Sequence, residues 1–562
     1  MFNKKIKIIL FLTLILQNPS LSKNNINNNF DSKNLSRYFS GIVAFENKNN
    51  SKALDFFNSS KILLNKHDPY LKRYVFSLVL ENKITRAINV IKNNDNKDNT
   101  NFFDAQLLLV LDSLKKNDFS KSYNLLINMI ELNQSDKFNL AILESLKQYI
   151  YVFKEKKFLD NKRNLGKLSI ISETFQRCYL RDQATDAYFS KLISDPEGDY
   201  SRYTFFYLTY LIENKRIEDA KKIIKNIDYI NSTLLLSQGK SWIENKKSEK
   251  LVKVFSCKKT NDLISEFLFL ISNLYSTQDN FEKSNFYLNV SNFFNPKFIF
   301  NLALVAENQY SNQEYKKLKK TLKNFSEEDN FYYWYRIKKQ AQIIAKQRNK
   351  DESLNYITSE FSKIKEPNDK ILFDIANFYK NSKKYEEAIK YYTQLISKLN
   401  NENEILADLL YRRGGSYERI GKFEKADKDL LKALEINPND AYILNYLAYS
   451  WLERNFKIKK AIEMLEKAYA SKSNDPYIID SIGWAYYLID DFLKAEQFLK
   501  RAVELMPDDP IVNDHYGDIL WKLDRKIQAR YFWANVLAMD DAETEIIKSI
   551  NIKMIEGLEN SL

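Results

Sequence analysis

The chain contains very little glycine and proline, with 10 and 9 residues among 562. β-Turns and the phosphate-binding loops of nucleotide folds depend on these residues, so their scarcity argues against a β-rich or Rossmann-type protein. The chain is nevertheless 44% hydrophobic and 14% aromatic, so it can bury a large core. The composition therefore favours helices joined by short loops, over a length that allows several domains or one long repeat array.

Histidine, a frequent residue in acid–base and metal chemistry, is also scarce, since the chain contains only His67 and His515. The sequence has no GxxxxGK[ST] loop, no GxSxG elbow, no HExxH and no CxxC pair. Asp514 and Asp518 share a helix face, but His515 between them points elsewhere, so a structural or groove-lining role fits better than a metal site. We predict a protein that is not an enzyme and needs no metal or cofactor.

No long run of one charge is present, although the net charge is +13. Residues 407–562 hold 22 Lys/Arg and 27 Asp/Glu, so the positive excess belongs to the upstream part. Such an excess could contact acidic polymers or anionic lipid. Because no dense basic block carries interleaved aromatic residues, we interpret it as lysines scattered over solvated faces and expect no nucleic-acid binding.

Beyond the N-terminus the chain has no uninterrupted apolar stretch of about 20 residues, so we predict no membrane span in the mature chain. The N-terminus combines three lysines, a short apolar run and two small residues: Lys4, Lys5, Lys7, Ile8 to Leu16, Ser20 and Ser22. This is the layout of a secretory signal peptide. We predict a signal peptide over residues 1–22 and a periplasmic or cell-envelope location. An uncleaved anchor is the alternative, because the cleavage site lacks the usual alanines.

Small residues recur every 34 or 35 positions in the C-terminal third of the chain. A shift of 34 residues places Gly483 on Gly517 and Ala495 on Ala529. The recurring positions are Gly414, Ala426, Pro438, Ala448, Ala461, Gly483, Ala495, Ala502, Pro507, Gly517 and Ala529. A fixed period of this length indicates an α-solenoid.

The repeated glycine needs a physical reason, because glycine inside a helix costs about 1 kcal/mol relative to alanine. We place Gly483 and Ala495 where the two helices of one unit cross closely. Tight packing of Tyr486, Leu499 and Ala502 around the crossing would offset the cost. A bulky residue at Ala495 is then expected to overpack the crossing and to lower the stability of the fold by about 1–3 kcal/mol.

The repeat resembles the tetratricopeptide repeat (TPR), a 34-residue helix–turn–helix unit. Gly483 matches the small residue of the first helix, helix A, and Ala495 that of the second, helix B. Ala502 matches the later alanine and Pro507 the terminal proline, whereas Ile479 stands where tryptophan is usual. The resemblance implies an all-α protein, a right-handed superhelical α-solenoid of TPR-like units.

On this pattern we divide the chain into six parts. These are a signal peptide (1–22), degenerate N-terminal TPR-like repeats (23–154), an irregular segment or hinge (155–200), further degenerate repeats (201–368), a well-defined TPR array (369–543) and a C-terminal capping helix (544–562). The segment 155–200 could also hide a hydrolase or transferase, but it offers no nucleophile–base pair.

The two cysteines, Cys178 and Cys257, are 79 residues apart, which is about two repeats. Export would place them in an oxidising compartment. Stacked helices lie 8–10 Å apart, whereas a disulfide needs Cα atoms within about 7 Å. We therefore expect two buried free thiols.

Three C-terminal segments resemble a more specific group, the exported TPR proteins of Gram-negative bacteria. They are LNYLAYSWLE (444–453), DSIGWAYYL (480–488) and VNDHYGDILWKLDRKIQARYFW (512–533), and residues 36–57 resemble that family's start. The resemblance implies an all-helical envelope scaffold and supplies no catalytic residues.

In TPR proteins, positions 2, 5, 9 and 12 of helix A line the concave face, which usually binds the partner. These positions are Tyr442, Asn445, Tyr449 and Leu452, then Tyr477, Asp480, Trp484 and Tyr487, then Ile511, Asp514, Asp518 and Trp521. An aromatic and acidic lining suits a basic peptide or helix. The alternative is that the aromatic residues pack against neighbouring A helices while the acids are merely solvated.

Our main hypothesis is a non-catalytic, exported scaffold or adaptor that binds another envelope protein through this groove. The alternative is a cell-wall or polysaccharide-binding module, because aromatic platforms suit sugars as well as peptides. Neither the partner nor the oligomeric state follows from the sequence.

Overall fold

A computed structural model describes residues 32–64, 67–94, 98–160, 162–194, 201–399, 405–539 and 542–558. These residues form α-helices and three short 3₁₀ helices, with no β-strand among them. The predicted all-α solenoid is therefore confirmed. No helix in these ranges has the length and apolar character needed to cross a membrane. The predicted signal peptide, residues 1–22, lies outside the described residues.

The chain forms two compact units, and unit 1 comprises residues 1–226 and 233–325. Its described α-helices are α1 (Ser32–Glu46), α2 (Asn50–Ser59), α3 (Asp68–Leu80), α4 (Ile84–Lys92), α5 (Phe103–Lys115), α6 (Phe119–Leu132), α7 (Lys137–Glu155), α8 (Lys167–Leu180), α9 (Thr185–Ile193), α10 (Ser201–Glu213), α11 (Ile217–Lys225), α12 (Leu234–Glu244), α13 (Glu249–Val254), α14 (Thr260–Ser276), α15 (Phe281–Phe294), α16 (Leu302–Ser311) and α17 (Tyr315–Leu322).

Unit 1 contains contacts between helices that are far apart in the chain. Helix α15 packs against α3, where the rings of Phe76 and Phe286 stack with centroids 5.1 Å apart. Asn289 Nδ2 donates to the carbonyl oxygens of Val79 and Leu80 at 2.9 and 3.1 Å. The helices of unit 1 therefore do not only contact their neighbours in sequence, as they would in an open solenoid.

Unit 2 comprises residues 227–232 and 326–562. Its described helices are α18 (Asn330–Gln347), α19 (Lys350–Phe361), α20 (Asp369–Asn381), α21 (Tyr385–Ile396), α22 (Ile405–Arg419), α23 (Phe423–Ile436), α24 (Ala441–Glu453), α25 (Ile458–Ser471), α26 (Pro476–Leu488), α27 (Phe492–Leu505), α28 (Pro510–Lys522), α29 (Lys526–Leu537) and α30 (Thr544–Glu556). Helices α20–α29 form five successive hairpins over the predicted array, and α30 follows them.

The same tight turn joins the two helices of most hairpins in both units. One residue of each turn has a positive φ, a conformation that closes the turn within a few residues. These residues are Lys48, Asn82, Asn117, Lys215, Lys246, Asp279, Gln313, Lys383, Gly421, Asn455, Asp490 and Asp524. Hairpins of one kind thus occur in the regions where the small-residue repeat is weak.

The crossing of the two helices places a small residue of helix A against a large residue 16 positions later in helix B. A Cβ on Gly483 would lie 2.7 Å from Leu499 Cγ, and one on Gly414 would lie 2.9 Å from Leu430 Cγ. Gly517 faces Trp533 in the same way. Close approach to these side chains therefore explains the glycines, with Leu499 rather than Ala495 as the residue opposite Gly483.

The other predicted structural positions divide into buried alanines and exposed prolines. The alanines of the repeat have no exposed side-chain surface, whereas the two prolines lie in exposed turns. The buried alanines are Ala426, Ala448, Ala461, Ala495, Ala502 and Ala529, and the exposed prolines are Pro438 and Pro507.

The expectation of two free thiols is wrong, because Cys178 and Cys257 form a disulfide with their Cα atoms 5.7 Å apart. Cys178 lies near the end of α8, but Cys257 lies outside any helix, between α13 and α14. That segment folds against α8, with the rings of Phe175 and Phe255 5.9 Å apart. The spacing of stacked helices was therefore the wrong distance to apply to a residue in a connecting segment.

The segment 155–200 differs from an irregular hinge in two respects. It contains α8 and α9, and the described part of the segment belongs to unit 1. The boundaries between the units instead lie near residues 226–233 and 325–326. Residues 195–200, at the end of this segment, lie outside the described residues.

Candidate functional site

The A helices α24, α26 and α28 begin with the same cap. Asp440, Asp475 and Asp509 each accept two backbone N–H hydrogen bonds on Oδ1, at 2.9–3.3 Å. An aspartate at this position satisfies N–H groups that have no partner within the helix. The identical caps place the second helical residue of each unit at an equivalent position.

Those second residues form an exposed row that we call the ladder: Tyr442, Tyr477 and Ile511. Their side chains are 50%, 55% and 45% exposed. The charges of Asp509 and Asp475 lie close to the Tyr477 phenol, whose pKa is raised first by burial and then by these two carboxylates. The ladder thus combines apolar surface with nearby acidic groups.

The next predicted residues of the groove pack against each other. The indole ring of Trp484 stacks on His515 at 4.1 Å and on Tyr487 at 4.6 Å, with interplanar angles of 12° and 9°. The Tyr449 ring lies 6.5 Å from His515, which is two units further along the chain. Trp484 Nε1 also donates to Glu453 at 3.2 Å. These rings therefore join α24, α26 and α28, as the alternative interpretation expected.

His515 and Asp480 form a buried pair below this stack. His515 Nδ1 lies 3.0 and 2.9 Å from the two carboxylate oxygens of Asp480, and both residues are almost fully buried. Burial alone would lower the pKa of His515, but the charge and hydrogen bond of Asp480 outweigh it and raise that pKa. Asp480 therefore stabilises the positively charged form of the imidazole, and the two side chains satisfy each other within the chain.

The C-terminal helix α30 neutralises the other two acids of the predicted groove. Lys553 Nζ donates to Asp514 at 2.6 Å and to both carboxylate oxygens of Asp518 at 2.8 Å. Trp533 Nε1 donates to Asp518 at 3.0 Å. Ile550 of the same helix has no exposed surface. The helix thus caps the array and places a lysine where the sequence suggested a basic ligand.

Trp521 and Asn445 complete the predicted set. Trp521 is half-buried and lies directly against Gly557, just beyond α30. Asn445 is half-buried, and its Oδ1 atom is buried without a hydrogen-bond partner among the described residues. Asn445 therefore carries an unsatisfied acceptor inside the array, where a ligand on the surface does not reach it.

The structure separates the predicted groove residues into two groups. Tyr449, Trp484, Tyr487 and Trp521 pack within the chain, and Asp480, Asp514 and Asp518 form ion pairs within it. Tyr442, Tyr477 and Asn445 remain accessible or unpartnered, together with Ile511. Partner binding by these residues stays a prediction.

The cluster of Asp514, His515 and Asp518 does not converge on a common point, because its members bond to Lys553 and Asp480. Within the part of the chain that the structure describes, no group of three or more His, Cys, Asp or Glu side chains is arranged to hold a metal ion.

Sequence patterns did not indicate the cavities of unit 1. One of them, of about 950 Å³, lies where α15 meets α3. Its aromatic lining includes Phe76, Phe138 and Tyr275, and Lys283 crosses it to pair with Asp104 at 2.7 Å. Phe76, Phe138 and Tyr275 come from three separate parts of the sequence. Only the long-range packing of unit 1 brings them together, so no local signal could have found them.

Comparison with known proteins identifies repeats in the C-terminal unit. Models of the tetratricopeptide repeat match residues 369–397 and 407–440, which correspond to the hairpins α20–α21 and α22–α23. These two segments are tetratricopeptide repeats, a type of repeat that mediates protein–protein interaction. A search of curated proteins found no match.

Several solved structures are similar to parts of the chain. MamA from Desulfovibrio magneticus RS-1 is 20% identical over 31% of this chain and 97% of its own, with a TM-score of 0.27. PilF of Pseudomonas aeruginosa is 15% identical over 34% and 85%, with a TM-score of 0.28. A tetratricopeptide repeat protein from Parabacteroides merdae is 17% identical over 52% and 98%, with a TM-score of 0.34.

Proposed function

We propose that this chain is a non-catalytic scaffold that binds a segment of another envelope protein along the ladder. The observation that carries the proposal is the row of Tyr442, Tyr477 and Ile511, held at equivalent positions of three successive A helices. Exposed tyrosines are favoured as binding residues, because they bury a large area at a low entropic cost. A segment that crosses the three helices would cover all three side chains.

The chemistry around the ladder favours a partner segment with apolar and basic side chains. The acids that the sequence suggested for this role are paired within the chain, so the cap residues Asp440, Asp475 and Asp509 take their place. Each of them uses Oδ1 for both backbone bonds. Oδ2 can then accept from a lysine or arginine of the partner.

We also propose that the protein works in the cell envelope after export. The layout of residues 1–22 supports this proposal. The Cys178–Cys257 disulfide supports it too, because disulfides persist in the periplasm and are rare in the cytosol. Fractionation of the native cells, with the disulfide state assayed by thiol labelling, tests the location independently of partner binding.

Photo-crosslinking on the chain from Lys23 onward tests the partner. A benzophenone side chain replaces Tyr477, and cross-linked proteins are compared with those from a bait that also carries Tyr442→Ala and Ile511→Ala. We expect one specific partner whose cross-linked peptide contains Lys or Arg beside apolar residues. Its yield should fall with added salt, because exposed charges are screened.

A control removes apolar residues of B helices that are more exposed than the ladder: Leu493→Ala, Ile527→Ala and Tyr531→Ala, which are 72%, 87% and 63% exposed. The control should retain the partner. Equal loss in both baits, or a cross-linked peptide without basic residues, would contradict the proposed site. Capture of glycan instead of protein would favour a wall-binding module.

A further inference from the structure

A second concave site lies in unit 1, at the start of α14. Its cavity has a volume of about 600 Å³, within the range of small-molecule sites. The walls come from the α5–α6 turn, the end of α8, the α13–α14 segment and the residues that follow α15. We call it the basic pocket, because four of its lining residues are lysines: Lys253, Lys258, Lys259 and Lys297.

Three of these lysines have no partner for their charge. Lys258 lies 3.7 Å from Glu213, but Lys253, Lys259 and Lys297 form no ion pair within the part of the chain that the structure describes. All four side chains are exposed at the rim. Four lysines around one cavity give it a positive potential that an anionic ligand would neutralise.

The floor of the pocket holds one carboxylate, which is already engaged. Asp262 Oδ2 accepts a hydrogen bond from the backbone N–H of Ser256 at 3.0 Å. Burial raises the pKa of Asp262 to about 6, and the charges of Lys259, Lys115 and Lys297 partly oppose this rise. The opposing lysines confirm that several ammonium groups act on one point. They outnumber the single carboxylate.

A helix end adds to this potential. Helix α14 is 17 residues long, and its N-terminal residues Thr260 and Asn261 line the pocket. Its N-cap residue, Lys259, makes no side-chain hydrogen bond to the first turn. The first N–H groups of a helix carry a partial positive charge and attract anions.

The disulfide holds two walls of the pocket together. Cys257 directly precedes Lys258 and Lys259, and Cys178 directly precedes Tyr179, whose ring forms another wall. The lysines of the α13–α14 segment are therefore attached to α8 by a covalent link. The pocket does not depend on the conformation of a free loop.

We propose that the basic pocket binds a ligand with two or more phosphate groups. Phosphate is favoured because each group carries up to two charges and several strong acceptors, which suit separated lysines and a helix N-terminus. The aromatic walls, Phe119 and Tyr179, can cover an apolar or sugar part of the ligand. The ligand is either a free polyphosphate or phosphosugar or the headgroup of an anionic lipid.

The test is titration calorimetry with tripolyphosphate on the full mature chain. The pocket variant is Lys259→Gln with Lys297→Gln. The control is Lys316→Gln with Lys320→Gln, two exposed lysines of α17 that do not line the pocket. We expect saturable binding in the native protein and the control. We expect affinity to be weaker by roughly tenfold or more in the pocket variant, since each lost charged hydrogen bond weakens binding.

Flotation with phosphatidylcholine vesicles, with and without cardiolipin, whose headgroup carries two phosphates, distinguishes the two sources of phosphate. Binding only to tripolyphosphate indicates a free ligand, and stronger binding to the anionic vesicles indicates a headgroup. Reduction of the disulfide should weaken either interaction. Absence of both interactions, or equal weakening in the pocket and control variants, would overturn the proposal.

Discussion

Replacing Lys553 by methionine should release the C-terminal helix from the array. The change keeps the apolar stem and removes the charge, so Asp514 and Asp518 lose their counter-ion. The side chains of Lys553 and Asp518 are only 15% and 6% exposed. Removing one partner of a buried ion pair costs about 3–5 kcal/mol. Asp518 can take up a proton, because burial raises its pKa. We therefore expect a cost of about 2–4 kcal/mol at neutral pH.

The effect is best measured locally, because repeats unfold in parts and a global free energy is poorly defined for such an array. Amide hydrogen exchange of α30, followed by mass spectrometry, reports the opening of that helix. The expected loss corresponds to exchange about 30 to 900 times faster. The difference in exchange rate between the variant and the native protein should become smaller as the pH falls toward 5, because protonation of Asp518 removes the charge that lacks a partner.

A second ion pair of the same helix provides the control. Lys383 pairs with Glu543, immediately before α30, at 2.8 Å, but these side chains are 68% and 55% exposed. Exposed pairs contribute little to stability, so Lys383→Met should leave the exchange of α30 nearly unchanged. Equal effects of the two substitutions on the exchange rate of α30, or a change in that rate below about twofold for Lys553→Met, would refute the argument that burial makes the Lys553 pair important.

Three further predictions concern the packing. Gly483→Ala should destabilise the array by about 1–3 kcal/mol, because its Cβ would meet Leu499, and thermal unfolding should show a lower midpoint. Reduction of the disulfide should lower the stability of unit 1 by about 4 kcal/mol, the chain-entropy value for a 79-residue separation, seen as an earlier urea transition. Asp480→Asn should lower the pKa of His515 and remove stability that is fully present below pH 6.5 and lost as pH rises through the raised folded pKa. The melting temperatures of the native protein and this variant should therefore differ most near pH 5.5 and converge above the pKa of His515 in the folded protein.

The hairpins could be predicted from sequence because their determinants are local. Gly414, Gly483 and Gly517 each face a large residue 16 positions later, and Gly41 faces Phe57 by the same rule near the N-terminus. A glycine followed 16 positions later by a large residue indicates where the two helices of a hairpin cross. The pattern can therefore be recognised where the other repeat positions have diverged. The turns with positive φ repeat in the same way, although several different residue types occupy them.

The groove could be predicted only in part. Positions 2, 5, 9 and 12 of helix A identify which face of the array is concave, but they do not give the curvature of that face. Tyr449 and His515 are two units apart, yet their rings lie 6.5 Å from each other. Side chains that would line an open groove therefore fill a narrow one. Lys553 lies outside the repeat, so no periodicity could assign it to the two aspartates.

A similar limitation applies to the interpretation of the lysines as scattered over solvated faces, because their spacing in the sequence does not show which of them the fold brings together. A search for dense basic runs finds none, and scattered lysines suggest solvated faces. A folded solenoid instead brings its connecting segments together at its edges, and a lysine in each of several connections produces a basic site without any basic run. Lys259 and Lys297 come from two such connections, Lys253 lies near the end of α13, and all three line one cavity. Charge on a repeat protein is therefore better judged by which connections the fold brings together than by its density along the chain.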